Sequence, residues 1–183
     1  GSCKKETESV LRDDILELSR RTADHGRKNR PQSGVYAQVV AGNCSQVRHL
    51  CIEERNGVWQ WQHRILGEQK DKQLVVWGQG VVKDHEEYVV VKVIGWDDKW
   101  SVEWSENGEF KGAMEQIEIL DPDYMQYVEN EAKYKKKYVE RLRKSAHPHK
   151  HYYRCKPTSD SSDIVITATD RFGRIFSQRI QIE

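Results

Sequence analysis

A mainly β protein is what the sequence predicts, and three observations predict it. From residue 35 onward apolar and polar residues alternate in short runs, the period of a half-buried strand. Asn-Gly pairs stand between such runs at Asn56-Gly57 and Asn107-Gly108, and both residues tolerate the positive φ that a two-residue hairpin needs. Six Trp, eight Tyr and three Phe supply core material that a disordered chain lacks. A length of 183 residues suits one domain, or one with a small addition.

The elements follow in order. Residues 8–22 read as a short helix, because Leu11, Ile15 and Leu18 repeat at helical spacing while Asp13, Asp14, Glu17, Arg20 and Arg21 fill the other side. Residues 24–34 hold Gly26, Pro31 and Gly34 and read as a loop. Strands are expected over 35–41, 47–54 and 58–65. In the last of these Trp59, Trp61, His63 and Ile65 share one face. A polar break at 67–72 precedes seven more expected strands: 73–82, 88–95, 100–105, 110–120, 151–156, 164–169 and 174–182. Asp170-Arg171-Phe172-Gly173 marks a turn, with Gly173 in the left-handed position. Seven short strands after residue 72 fit an immunoglobulin-like antiparallel sandwich.

One helix interrupts it. Asp121-Pro122-Asp123 is a start signal, an Asp cap followed by Pro in the first turn. Tyr124, Tyr127, Val128, Tyr138 and Leu142 make an apolar stripe, and the charge runs from Glu129 and Glu131 to a Lys/Arg-rich end, as the helix macrodipole favours. The expected organisation is an N-terminal helix and loop over 1–33, a β-meander over 34–72, and a sandwich over 73–183 carrying a helix over 122–144.

Composition excludes several functions. Lys+Arg of 30 against Asp+Glu of 29 leaves a formal charge of +1, which argues against a nucleic-acid binder working by overall charge. The basic run from Lys133 to Lys144 is better read as a solvated helix face, so no nucleic-acid partner is expected. No apolar run approaches the roughly 18–20 residues that span a bilayer. The sequence has no GxSxG elbow, P-loop, HExxH or Gly-rich dinucleotide loop. Asp24-His25, Asp84-His85 and Asp97-Asp98 read as turn residues, and no catalytic residue is assigned.

Two features could bind a ligand. His147, His149 and His151 would point one way on an extended segment and could hold Zn²⁺, although no carboxylate stands nearby to orient the rings. Trp59 and Trp61, with Trp96, are candidate sugar-stacking residues if exposed; Trp100, Val102 and Trp104 form a second row whose better reading is sandwich core. Cys44 and Cys51 could pair, but the cysteines, Cys3 and Cys155 included, read more simply as small buried thiols.

Gly1-Ser2 reads as a cloning remnant. Cys3-Lys4-Lys5-Glu6-Thr7-Glu8 resembles the mature start of a bacterial lipoprotein, which implies a lipid on Cys3 as the one membrane contact. The alternative is an ordinary cysteine in a chain that starts mid-sequence.

A larger resemblance rests on Val91–Gly108, which contains Gly95-Trp96-Asp97-Asp98-Lys99-Trp100-Ser101-Val102-Glu103-Trp104, on Lys111-Gly112-Ala113-Met114, on Asp121-Pro122, on His151-Tyr152-Tyr153 and on Ala168-Thr169-Asp170-Arg171-Phe172-Gly173. Together these resemble the C-terminal domain of secreted calcineurin-like metallophosphoesterases of Gram-negative bacteria, over roughly residues 74–183. Residues 34–66 are more loosely similar to the last strands of the catalytic domain. The resemblance implies a β-sandwich placed after a two-metal phosphoesterase core, in an extracytoplasmic setting. That family's chemistry uses a divalent metal pair held by motifs of the D-x-H, G-D-x-x, G-N-H-[DE] and G-H-x-H kind. None is intact here: Cys44 follows Gly42-Asn43, and His149-Lys150-His151 lacks the preceding Gly. No cofactor is therefore expected in this chain. The expected role is a non-catalytic accessory domain whose partner is the phosphoesterase catalytic domain. The alternative is an extracytoplasmic carbohydrate- or polymer-binding module using exposed Trp faces.

Overall fold

The computed structural model describes residues 35–36, 48–65, 67–130, 136–159 and 161–182. The helix expected over 8–22, Cys3, Cys44 and most of the strand expected over 35–41 lie outside these residues. The chain divides into two compact units, Gly1–Gly67 and Glu68–Glu183.

The first unit contains a three-stranded antiparallel sheet, β1 (Val35–Tyr36), β2 (Arg48–Arg55) and β3 (Val58–Ile65), in the order β1-β2-β3. Asn56 and Gly57 take φ of 52° and 77° and close the β2–β3 hairpin in the two-residue form their sequence predicts. The register sets Trp61 opposite Ile52 and Trp59 opposite Glu54.

The second unit is a β-sandwich with a helical addition. One sheet has the order β11-β10-β6-β7 and the other β4-β5-β9-β8. The strands are β4 (Leu74–Trp77), β5 (Val89–Val93), β6 (Ser101–Glu106), β7 (Glu109–Ala113), β8 (Glu115–Ile119), β9 (His149–Cys155), β10 (Ser162–Thr169) and β11 (Ile175–Ile182). Between the sheets pack Leu74, Val89, Val91 and Val93 from one side and Val102, Ile164, Ile166 and Ala168 from the other. In β10 every second residue is buried, the alternation expected where one sheet face meets the core. All five residues of β5 are buried. The outer face of its sheet is covered too, with Trp77, Val82, Val90 and Tyr152 forming a second cluster there.

Three expectations are corrected. The strand expected over 110–120 is two strands in different sheets. Gly112, at φ 111°, sits by a register shift in the β6–β7 ladder, and buried Met114 carries the chain across, its N–H bonded to the Val102 carbonyl at 2.8 Å. A left-handed glycine beside a bulge bends the strand out of its sheet. The strand expected over 73–82 ends at Trp77; Gly80, at φ 77°, starts a turned loop in which the Gly80 N–H bonds the Glu86 carbonyl at 2.8 Å. The single helix expected over 122–144 is described as α1 (Pro122–Asn130) and α2 (Lys136–Ser145). The Tyr124 hydroxyl donates to the Leu142 carbonyl at 3.2 Å, whereas one straight helix would separate those residues by about 27 Å, so α2 folds back against α1. Val128 of the apolar stripe is 1% exposed; the Tyr127 and Tyr138 side chains lie outside the described residues.

Asp121 joins these helices to the sheet. One carboxylate oxygen accepts the Tyr124 N–H at 3.0 Å, the N-cap bond that Asp-Pro predicts. The other accepts the Tyr152 hydroxyl at 3.1 Å and the Lys92 ammonium. Next to it the Trp77 indole N–H donates to Asp123 at 2.9 Å. The Lys92 and Asp121 side chains are 1% and 2% exposed, so neither charge can be hydrated. Burial pushes the Asp121 carboxyl up, but the Lys92 charge and the bonds from Lys92, Tyr124 and Tyr152 outweigh it and hold the carboxyl below its ordinary value.

Asp121→Ala should therefore cost about 3–5 kcal/mol, because it strands a buried ammonium. The double variant Lys92→Met/Asp121→Asn should cost less than Asp121→Ala alone, since no buried charge remains. Urea unfolding of the three chains checks the order. With a lowered folded pKa, the Asp121 contribution is complete above the carboxyl's unfolded pKa and disappears as pH falls through the folded one. In Asp121→Asn that part of the acid destabilisation should be missing from the pH–stability curve.

Candidate functional site

Two of the stretches that carry the family resemblance meet at one end of the sandwich. There the β5–β6 loop, residues 94–100, lies against the β10–β11 turn, residues 170–174. In the turn, one Asp170 oxygen accepts the N–H groups of Phe172 and Arg174, both at 2.9 Å, and the other accepts Arg174 Nε at 2.6 Å. Gly173, at φ 75°, takes the left-handed position. Across the gap, Arg171 pairs with Asp97 at 2.8 Å and approaches Asp98 at 3.8 Å. Asp97 also accepts the Lys99 N–H at 2.8 Å, which tightens its own loop.

Aromatic residues complete this clasp. The Trp96 indole N–H donates to the Tyr153 hydroxyl at 2.7 Å. Trp100 stacks on Phe176 with ring centroids 5.7 Å apart. Burial, helped by the Asp97 charge, pushes the Tyr153 hydroxyl up against the lowering effect of the Trp96 donor, so this phenol stays neutral. Both carboxylates at the centre of this end, Asp97 and Asp170, are matched by arginine. The arrangement holds two loops in register.

A second buried carboxylate organises the opposite turn. Glu106, 2% exposed, accepts the Thr158 N–H at 2.8 Å, the Thr158 hydroxyl at 2.5 Å and the Ser162 hydroxyl at 2.8 Å. Burial pushes its carboxyl up, and these donors together with Lys111 hold it below the ordinary range. It anchors the loop that leads into β10.

The ligand candidates fall in separate places. Trp59 is 46% exposed, while Trp61, on the same strand face, is 9% exposed; the face therefore presents one open ring and not a row. Trp96 is half-buried and engaged by Tyr153. Trp104 and Trp100 are partly buried and pack on the sandwich core, as their inward face predicts. His149 and His151 stack in β9, 5.1 Å apart, and His151 lies 4.6 Å from the Tyr152 ring. His147 is exposed before the strand. Among the described residues no group of three or more His, Cys, Asp or Glu is arranged to hold a metal ion, so the three histidines are not gathered into one site. Cys51 and Cys155 are free thiols. Burial pushes the Cys155 thiol up to about 12, which keeps it protonated and unreactive.

The sequence reading missed a cleft of about 470 Å³ on the outer face of the β4-β5-β9-β8 sheet. Its walls are the β4–β5 loop, the end of β8 and α1. Trp77, Val82, Ile119 and Met125 supply apolar surface, and Asp84, Glu118, Asp123 and Glu129 supply carboxylates. At one wall Arg154 donates to His85 Nδ1 at 3.1 Å. Arginine can only donate, so the neutral His85 ring carries its proton on Nε2. Arg154 also forks onto Glu115 at 2.8 and 2.9 Å and lies 4.2 Å above the Tyr88 ring.

The family model described as the C terminal of calcineurin-like phosphoesterase matches residues 49–176, well over half of the chain. The match begins within β2, so it takes in the β2–β3 hairpin as well as the sandwich. Comparisons with curated proteins and with solved structures each found no match.

Trp100→Ala should lower stability by about 3 kcal/mol, the lower end for truncating a packed aromatic. Trp59→Ala should change it by no more than about 0.5 kcal/mol, as at other exposed positions. Urea midpoints measured for both variants check the contrast.

Proposed function

The chain belongs to the family of C-terminal domains of calcineurin-like phosphoesterases, and from that premise we propose that it is a non-catalytic accessory domain. Its role is to pack beside a two-metal phosphoester-hydrolase core and shape the approach to that core's active site. The family match over residues 49–176 carries this reading. A sequence in which none of the four metal-ligand motifs is intact supports it further. On this reading the divalent metal pair belongs to the catalytic domain, which is the partner, and the protein works outside the cytoplasm.

The motif-bearing end fits such a role through rigidity. Arg171, Asp97, Trp96 and Tyr153 lock two loops together, and a domain that shapes another's active-site approach has to present fixed loops. Carbohydrate binding is the weaker reading, because only Trp59 of the paired rings on β3 is open.

Assayed on p-nitrophenyl phosphate and bis-p-nitrophenyl phosphate with Mn²⁺, Zn²⁺ or Mg²⁺, the chain should show no turnover above a heat-treated control. Metal-dependent turnover that survives repurification and is lost in His149→Ala/His151→Ala would overturn the non-catalytic reading.

A further inference from the structure

We propose that the cleft beneath α1 is a docking site for a segment of another polypeptide that sets a Lys or Arg beside an apolar side chain. The proposal goes beyond the accessory reading and does not depend on a phosphoesterase partner.

The charge pattern points to a basic occupant. Elsewhere in this unit several exposed acids are matched, Glu115 by Arg154, Glu87 by Lys156, Asp163 by Arg179 and Glu109 by Lys111, and exposed acids without such a partner, such as Glu103 and Glu140, do not line the cleft. At the cleft unmatched carboxylates gather around one space. The carboxylates of Asp84, Glu118 and Glu129 make no ion pair or hydrogen bond among the described residues, and Lys83 is the one lysine or arginine in the lining. An acidic rim of this kind repels phosphate and acidic peptides and attracts a cation.

The floor adds an apolar requirement. Trp77, Val82, Ile119 and Met125 line it, and the Trp77 indole N–H is already spent on Asp123. The floor therefore suits a methylene stem or an aliphatic side chain. Lysine and arginine combine such a stem with a charged head. The volume, about 470 Å³, lies within the roughly 300–1,000 Å³ range of ligand sites.

The apolar surface also continues to the rim, where Val81 is 61% exposed. A free amine seated on the carboxylates would leave Val81 uncovered. A polypeptide that places an apolar residue next to its cation covers both. Segments of this kind dock by an apolar anchor with charged flanks.

The test uses the whole chain, isotopically labelled, and follows backbone amide shifts. The probes are an acetylated and amidated peptide of alternating Lys and Leu, its Glu–Leu counterpart, and spermidine. Saturable shifts centred on Val81, Glu118 and Met125 are expected with the Lys–Leu peptide alone. Affinity should fall with added salt, and by about tenfold in Glu118→Lys/Glu129→Lys. Val81→Lys, at an exposed position that the fold tolerates, should weaken binding in the same direction. An unchanged spectrum away from the cleft shows that each variant is folded. The proposal is overturned if the Lys–Leu peptide gives no saturable shift, if its shifts map elsewhere, if the Glu–Leu peptide binds equally, or if spermidine gives the same footprint and affinity. The last result would mark the cleft as a site for free amines.

Discussion

The buried pair of Lys92 and Asp121 ties the start of α1 to the centre of the β4-β5-β9-β8 sheet. Lys92 stands in the middle of β5, and Asp121 begins α1. An ion pair with side chains 1% and 2% exposed gains little net energy over an apolar pair of the same size. Its effect is directional. A lysine in the strand that the sheet buries on both faces must find a carboxylate, and one position supplies it. The helix that starts there is fixed to the sheet in both place and direction, because the same carboxylate caps its first turn and accepts the Tyr152 hydroxyl.

Once α1 is fixed, the rest of that face follows. Trp77 at the end of β4 reaches Asp123, in the first turn of the helix. Tyr124 bonds the Leu142 carbonyl and sets α2 against α1. The β4–β5 loop closes the remaining side, with Val82 buried against Val90 and Tyr152. The cleft is the space left between this loop and the helix. The helical wall of the cleft is thus placed by the Lys92–Asp121 pair.

Much of this was legible in the sequence. Period-two runs located the strands, and Asn56-Gly57, Asn107-Gly108 and Asp170–Gly173 located turns whose φ values the structure reproduces. The Asp-Pro start of α1 was legible for the same reason: each is a local rule with a local cause. What escaped was set by distant contacts. Gly112 and Met114 divide an apparently continuous strand between two sheets, which a periodic pattern cannot express because both pieces keep the same alternation. The fold-back of α2 depends on Tyr124 meeting Leu142, a contact no spacing rule contains. One signal was present and unused: Lys92 interrupts the run from Val89 to Ile94. A single charge inside a fully apolar strand calls for a buried partner, which the structure supplies in Asp121.

The distribution of charge partners separates architecture from recognition in this domain. The Asp170–Gly173 turn lies within the residues that the family model matches, yet Asp170 is consumed by its own turn and Arg171 by Asp97. Glu106 is consumed by Thr158 and Ser162. Asp170 and Glu106 are buried, Arg171 partly so, and all are matched; a matched group has no remaining capacity to bind a ligand without breaking a contact that the fold needs. A signature built from such residues marks a family by its scaffold, so recognising it from the sequence identifies the fold and leaves the chemistry open. Binding capacity sits where charges are not matched from within. In the described sandwich such carboxylates gather at the rim of the cleft, where three exposed ones stand beside an apolar floor. The residues of the Asp170–Gly173 clasp and the carboxylates with something left to bind are therefore different sets, although the family match spans both.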